Sequence, residues 1–233
     1  MWPFWVFFAQ NDRMVSASQI VEKRIAHPNT EFLILNQKMS VLTAEMLLYA
    51  YSHGIFPMAD GRDGEVRWYS ADPRAIIPLE TYRPQRSLRP VLNRNVFEVR
   101  IDTAFERVMR HCAAPRPTDE NTWISEEMVA VYVQLHRMGY AHSVEAWQDG
   151  HLVGGLYGVA MGGAFFGESM FTLRPNASKV AFHHLVLKLR ARCFELLDTQ
   201  FINDNVKRYG AVEIPASEYM HLLEMSLSRP VSF

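Results

Sequence analysis

Two acids interrupt apolar runs that otherwise read as buried β-strands. Glu168 sits inside AFFGESMF, and Asp198 sits inside FELLDTQFI with Gln200 two residues on. A carboxylate taken out of water without partners is costly, or it takes up a proton. The chain must therefore fold so that both acids are paired or face a polar cleft. Strand alternation puts Asp198 and Gln200 on one side of their strand, and Phe166, Glu168 and Met170 on one side of theirs. One such acid alone fits a satisfied core residue. Two of them, on neighbouring strands beside an amide and a methionine, point to a functional site.

The rest of the composition narrows the class. With 233 residues, 48% of them hydrophobic, the chain can bury a substantial core as one large domain or a small domain before a larger one. A net charge of -1 gives no global attraction to nucleic acid, and DNA is not expected as a partner. Cys112 and Cys193 lie far apart and outside any CxxC pattern, as expected for ordinary thiols in a reducing cytosol. The opening MWPFWVFFAQ is apolar but far shorter than the roughly twenty residues of a spanning helix, and it lacks the flanks of a secretory signal. It reads as a greasy arm or as sequence upstream of a later start, with Met14 and Met39 as candidates. A cytoplasmic protein with no membrane partner is expected.

Turn signals divide the chain. Residues 1–40 read as an N-terminal arm, 41–95 as a small domain and 96–233 as the larger domain. A helix fits 43–53, capped by Thr43, striped by Met46, Leu47, Ala50 and Tyr51, and ended by Gly54. Short strands are expected at 67–69 and 75–79, a strand at 97–101, a helix at 104–112 and a loop through PRPTDENT. Ser125 caps a helix that Gly139 ends. Strands at 142–147, 152–161 and 164–171 follow, turning at Asp149-Gly150 and Gly162-Gly163. A helix at 178–192, the Asp198 strand, a short helix, a strand at 211–214 and a helix at 217–227 complete an α+β plan. A mixed sheet of this order is acetyltransferase-like (GNAT-like).

Familiar motifs are absent: no GxSxG, no HExxH and no P-loop. The nine histidines include His183-His184 on a helix, without ligand spacing, so no metal is expected. Acetyl-coenzyme A enzymes of this fold place a glycine-rich turn before the central helix, where backbone N–H groups hold a pyrophosphate. Here the junction reads RPNASK, with Ala177 and Lys179 in place of the glycines. An acyl transferase that uses no coenzyme A, and no other cofactor, is expected.

The combination resembles the leucyl/phenylalanyl-tRNA–protein transferase family over about 51–225. The resemblance lies in GIFPM, RWYSADPRAIIPL, FEVRIDTAF, AHSVEAW, LVGGLYGV, FFGESMF, NASK, LLDTQ and GAVEIP, taken in order. It implies transfer of Leu or Phe, with Met a further candidate, from aminoacyl-tRNA to proteins beginning with Arg or Lys. It implies Asp198 and Gln200 as catalytic positions, with Trp123 and Glu168 lining the site. Thr199 stands where some members have cysteine, and Ala216 where an arginine is frequent. The other readings are a coenzyme A-dependent N-acyltransferase and a non-catalytic aminoacyl-tRNA binding protein.

The chemistry suits these residues. An α-amine with a pKa near 8 must be neutral to attack the ester, which is already activated. The Gln200 carbonyl can orient the attacking amine, and Asp198 can stabilise the charge growing on it. Glu168 suits the cationic side chain of the acceptor, or a ribose. Leu156, Phe166, Met170, Leu185 and Leu189 are candidate walls of an apolar pocket for the transferred side chain, and each also fits ordinary core packing. Eight arginines between Arg83 and Arg116 face only three acids. Arg83, Arg86 and Arg89 are the candidate contacts to tRNA phosphates, with a solvated face as the alternative. Trp123, Trp68 and Tyr69 could stack the terminal adenine.

Overall fold

The computed structural model describes residues 14–16, 42–115 and 122–233. Most of the expected arm at 1–40, and most of the expected PRPTDENT loop, lie outside these residues. Strands β1 (Met14–Ser16), β2 (Phe56–Ala59) and β3 (Val66–Ala71) form a small antiparallel sheet in the order β1-β3-β2. Helix α1 (Ala44–Ser52) precedes it, with the Thr43 hydroxyl accepting from the Met46 amide as its cap.

The larger sheet contains β4 (Arg74–Ile76), β5 (Glu98–Ile101), β6 (Ala141–Gln148), β7 (His151–Met161), β8 (Ala164–Thr172), β9 (Leu196–Asp198) and β10 (Val212–Ile214). Their order is β10-β4-β9-β8-β7-β6-β5, and only β8 and β9 run parallel. The β6–β7 turn takes positive φ at both Asp149 (51°) and Gly150 (73°), the backbone that a tight hairpin requires. The helices are α2 (Arg89–Asn93), α3 (Phe105–Ala113), α4 (Glu126–Arg137), α5 (Ala177–Ala191), α6 (Asp204–Arg208) and α7 (Ala216–Leu227). Helix α5 makes the crossover that a parallel β8–β9 pair needs.

Two apolar layers flank the large sheet. On one side Phe182, Leu185 and Leu189 of α5 pack over Val144, Leu156, Phe165 and Met170. On the other, Tyr51, Met109 and Tyr132 of α1, α3 and α4 pack over Tyr157, Val159, Phe166 and Phe171. Strand β4 pairs with β9 and β10 inside the large sheet, so residues 74–76 join the two parts of the chain.

Strict alternation breaks down at both acids. In β8, Gly167 is opposite Gly158 and Ser169 is opposite Tyr157, which leaves Glu168 as an extra, unpaired residue in a β-bulge. Phe166 consequently packs with Tyr51 on one side while Met170 packs with Leu156 on the other, against the expectation that Phe166, Glu168 and Met170 share a side. Strand β9 stops at Asp198, and Gln200 lies beyond it in a turn with φ of 60°, not in the strand as expected.

Candidate active site

Asp198 ends β9 inside a closed polar cluster. Its carboxylate accepts Arg74 Nε at 2.9 Å, Arg74 Nη2 at 2.6 Å, the Tyr219 hydroxyl at 2.9 Å and the Gln200 amide at 2.8 Å. Arg74 also donates to the Gly54 carbonyl at 2.9 Å and lies against the rings of Phe56 and Tyr219. Arg74 and Asp198 are 1% and 0% exposed. Burial opposes the guanidinium charge, but the adjoining Asp198 carboxylate outweighs it and raises the Arg74 pKa above its ordinary value. The sequence suggests Asp198 as the charge partner of an incoming amine; in the structure its carboxylate oxygens are met by Arg74, Tyr219 and the Gln200 backbone.

Gln200 is 2% exposed, and its side-chain Nε2 is buried with no hydrogen-bond partner. A lone buried amide donor of this kind calls for an explanation, such as a ligand. The parallel register aligns Phe166 with Asp198 as its last pair, so the Glu168 bulge and the Gln200 turn each follow directly on that point.

Glu168 is 4% exposed and meets the Tyr51 hydroxyl at 2.7 Å and the Tyr132 hydroxyl at 3.5 Å. The two tyrosine hydroxyls also hydrogen-bond to each other. Burial pushes the Glu168 pKa up to about 8, against the lowering effect of the Tyr51 hydrogen bond. Burial and the nearby Glu168 also raise Tyr51, Tyr132 and Tyr157 well above the ordinary tyrosine value. The Tyr157 hydroxyl and Ser169 Oγ are buried without hydrogen-bond partners. Burial thus favours the protonated form of Glu168, beside the Tyr51 and Tyr132 hydroxyls.

On the α5 side of the bulge a cavity of about 30 Å³ is lined by Leu156, Glu168, Met170, Phe182, Leu185 and Tyr209, among others. Three of the five expected walls, Leu156, Met170 and Leu185, line it. Phe166 lies across the sheet against Tyr51, at 4.8 Å between ring centroids, and Leu189 is buried deeper in the core. The Tyr209 hydroxyl lies 3.8 Å from Met170 Sδ and closes the space. At this volume the cavity holds about one water, so a leucyl side chain must displace its walls. The Thr199 hydroxyl, expected on the far side of the strand, donates to the Ala75 carbonyl, and Thr199 lines the same cavity.

Trp123 precedes α4 and packs against the Tyr51–Tyr132 layer, its carbonyl accepting from the Ala59 amide at 2.9 Å. Arg83, Arg86 and Arg89 are exposed on the segment leading into α2. Tyr82 meets the ring of the cavity residue Phe182 edge to face, at 5.6 Å between centroids, and Gln85 donates to the Arg208 carbonyl, which brings this segment to the cavity's rim. The sequence reading missed Arg74, Tyr219, Tyr51 and Tyr132 as members of the site. The only signals were an arginine in an apolar strand and tyrosines on apolar helix stripes. Glu145, a third buried acid in a strand, accepts from Thr103, Ala104, Ser143 and Trp147 and caps the start of α3. Among the described residues no group of three or more His, Cys, Asp or Glu could hold a metal ion. No helix among them is long and apolar enough to cross a membrane.

Comparison with known proteins points one way. The family profile described as leucyl/phenylalanyl-tRNA protein transferase matches residues 76–224, and that of the same family's N-terminal domain matches residues 40–72. The leucyl/phenylalanyl-tRNA–protein transferase of Chlorobaculum parvum is 53% identical over 193 residues, covering 83% of this chain and 100% of its own. That of Gloeobacter violaceus is 53% identical over 192 residues, covering 82% and 97%. Among solved structures, L-PGS from Bacillus licheniformis superposes with a TM-score of 0.39 at 14% identity, over 69% of this chain and 51% of its own.

Proposed function

The chain belongs to the leucyl/phenylalanyl-tRNA protein transferase family, and from that premise we propose how its site performs the reaction. The enzyme moves Leu or Phe from aminoacyl-tRNA to the N-terminus of an acceptor protein, the step that marks the acceptor in the bacterial N-degron pathway. Acceptors begin with Arg or Lys, Met is a further donor, and the reaction belongs in the cytosol, where charged tRNA is found. The large sheet with its crossover helix is acetyltransferase-like, without a coenzyme A turn at the start of α5.

On this reading the donor and acceptor meet across the sheet. The leucyl or phenylalanyl side chain enters the cavity of Leu156, Met170 and Leu185 on the α5 side, pushing Tyr209 and Met170 apart. The acceptor's cationic group lies on the Tyr51–Tyr132 side against Glu168, which releases its proton and pairs with the charge. The bulge lets one residue serve both, since Glu168 lines the cavity and also meets the two tyrosines. Gln200 orients the attacking α-amine through its carbonyl and offers its unpartnered Nε2 to the ester carbonyl. Arg83, Arg86 and Arg89 take the tRNA phosphates at the rim, and Trp123 stacks the terminal adenine.

The observation on which this rests is the buried, unpartnered Gln200 amide, two residues beyond Asp198. The test is transfer of labelled leucine from charged tRNA to a peptide beginning with Arg, without coenzyme A. Wild-type protein is expected to transfer. Gln200→Ala is expected to lose about a hundredfold in turnover with an unchanged melting temperature. Transfer that requires coenzyme A, or a fully active Gln200→Ala, would overturn this assignment.

A further inference from the structure

The Asp198 carboxylate has no capacity left for substrate. A carboxylate offers about four lone-pair positions. Those of Asp198 face four donors: two from Arg74, one from Tyr219 and one from the Gln200 backbone. Only the last leads toward the reacting groups. Gln200 sits at φ of 60°, a left-handed region that a residue other than glycine adopts only at a cost. The charge-assisted bond from its amide to Asp198 Oδ1 at 2.8 Å supports that conformation.

We propose that Arg74 and Tyr219 are positioning residues for aminoacyl transfer: through the Asp198 carboxylate they hold the left-handed turn that carries Gln200, whose side-chain amide is buried without a partner. The proposal rests on the reading of Gln200 as the group that meets the reacting atoms. Arg74 is suited to this by its planar fork, which fixes both carboxylate oxygens at once. The fork is itself fixed, by the Gly54 carbonyl on its third nitrogen and by the rings of Phe56 at 4.9 Å and Tyr219 at 4.5 Å. Tyr219 comes from α7, near the end of the chain, and its hydroxyl both donates to Asp198 and accepts from Arg74. The clamp thus ties α7 and β4 to the Gln200 turn. It also cancels the Asp198 charge locally, so Asp198 acts by geometry and not as a counter-charge to the incoming amine.

Arg74→Ala would strand the buried Asp198 charge and is expected to unfold the protein, so the test uses milder changes. Tyr219→Phe removes one hydroxyl and keeps the ring over the guanidinium. Arg74→Lys keeps the charge and loses the fork. Turnover and donor KM are measured for Leu-tRNA and an Arg-starting peptide, in the wild-type and the Gln200→Ala backgrounds. Each single change is expected to lower kcat about tenfold, as misplacement of a reacting group does, with donor KM within about twofold. In the Gln200→Ala background neither change should lower kcat further, because their effect passes through Gln200. Wild-type kcat in both single variants, or the same fractional loss in both backgrounds, would overturn the clamp. If Gln200→Ala itself turns over normally, the assignment of Gln200 fails and the clamp with it. If Gln200→Ala is impaired while the clamp variants are not, the clamp alone fails.

Discussion

Burial of the Glu168 carboxyl ties the stability of the fold to pH. The carboxyl is pushed up to about 8 by burial, above the ordinary value of 4.5. Between those values the folded protein holds a proton that the unfolded chain releases. The contribution of this group is therefore fully present below about pH 4.5 and is lost as pH rises through 8. Each pH unit in that interval costs up to about 1.4 kcal/mol. Glu168→Gln removes the titration while keeping a hydrogen-bonding group against Tyr51. Its melting temperature, relative to wild type, should rise from pH 5 to pH 9. Its KM for an Arg-starting peptide should rise as well, since the cation loses its partner. A melting difference that is the same at both pH values would rule out a buried proton on Glu168.

At the scale of elements, the bulge in β8 decides which side chains meet. Gly158 lies opposite the bulge, and a Cβ there would overlap the Phe166 carbonyl oxygen and the Phe165 ring. Gly158→Ala should therefore cost about 1–3 kcal/mol in a urea titration and reduce transfer by displacing Glu168. Stability and activity equal to wild type would mean that the bulge tolerates a side chain there. Helix and hairpin limits were readable because their signals are local: Thr43 and Ser125 as caps, Asp149-Gly150 as a turn. The bulge and the Gln200 turn were not. Alternation counts residues and cannot register an inserted one, and an isolated LLDTQ reads as continuous strand. The partners that stabilise the departure are remote, with Arg74 lying 124 residues from Asp198 and Tyr51 lying 117 from Glu168. The acids themselves were legible, because a charge inside an apolar run demands partners wherever these come from.

At the scale of the whole molecule, a net charge of -1 leaves no general field to draw in tRNA, so attraction must be local. Several arginines of the basic stretch are already engaged. Arg100 pairs with Glu98 and lies over Trp147, Arg107 lies over the same ring, and Arg110 pairs with Glu106 and Glu126. Arg83, Arg86 and Arg89 are exposed; Arg83 Nη1 donates to the Glu80 and Tyr82 carbonyls, at 2.9 and 2.8 Å, and leaves its charge without a carboxylate partner among the described residues. Their segment borders the cavity through Tyr82 and Gln85, so phosphates bound there would place a tRNA end at its mouth. Each phosphate contact on a single strand contributes about 0.7 to the slope of log affinity against log salt. Replacing Arg83, Arg86 and Arg89 together by Ala should flatten that slope for Leu-tRNA by about 2 if each arginine holds one phosphate. The loss should appear as a raised donor KM that is largest at low salt. Arg100 and Arg110, held by acids, should contribute little when changed in the same way. A slope unaltered by the triple change would assign the three arginines to a solvated face and move the tRNA contact elsewhere on the molecule.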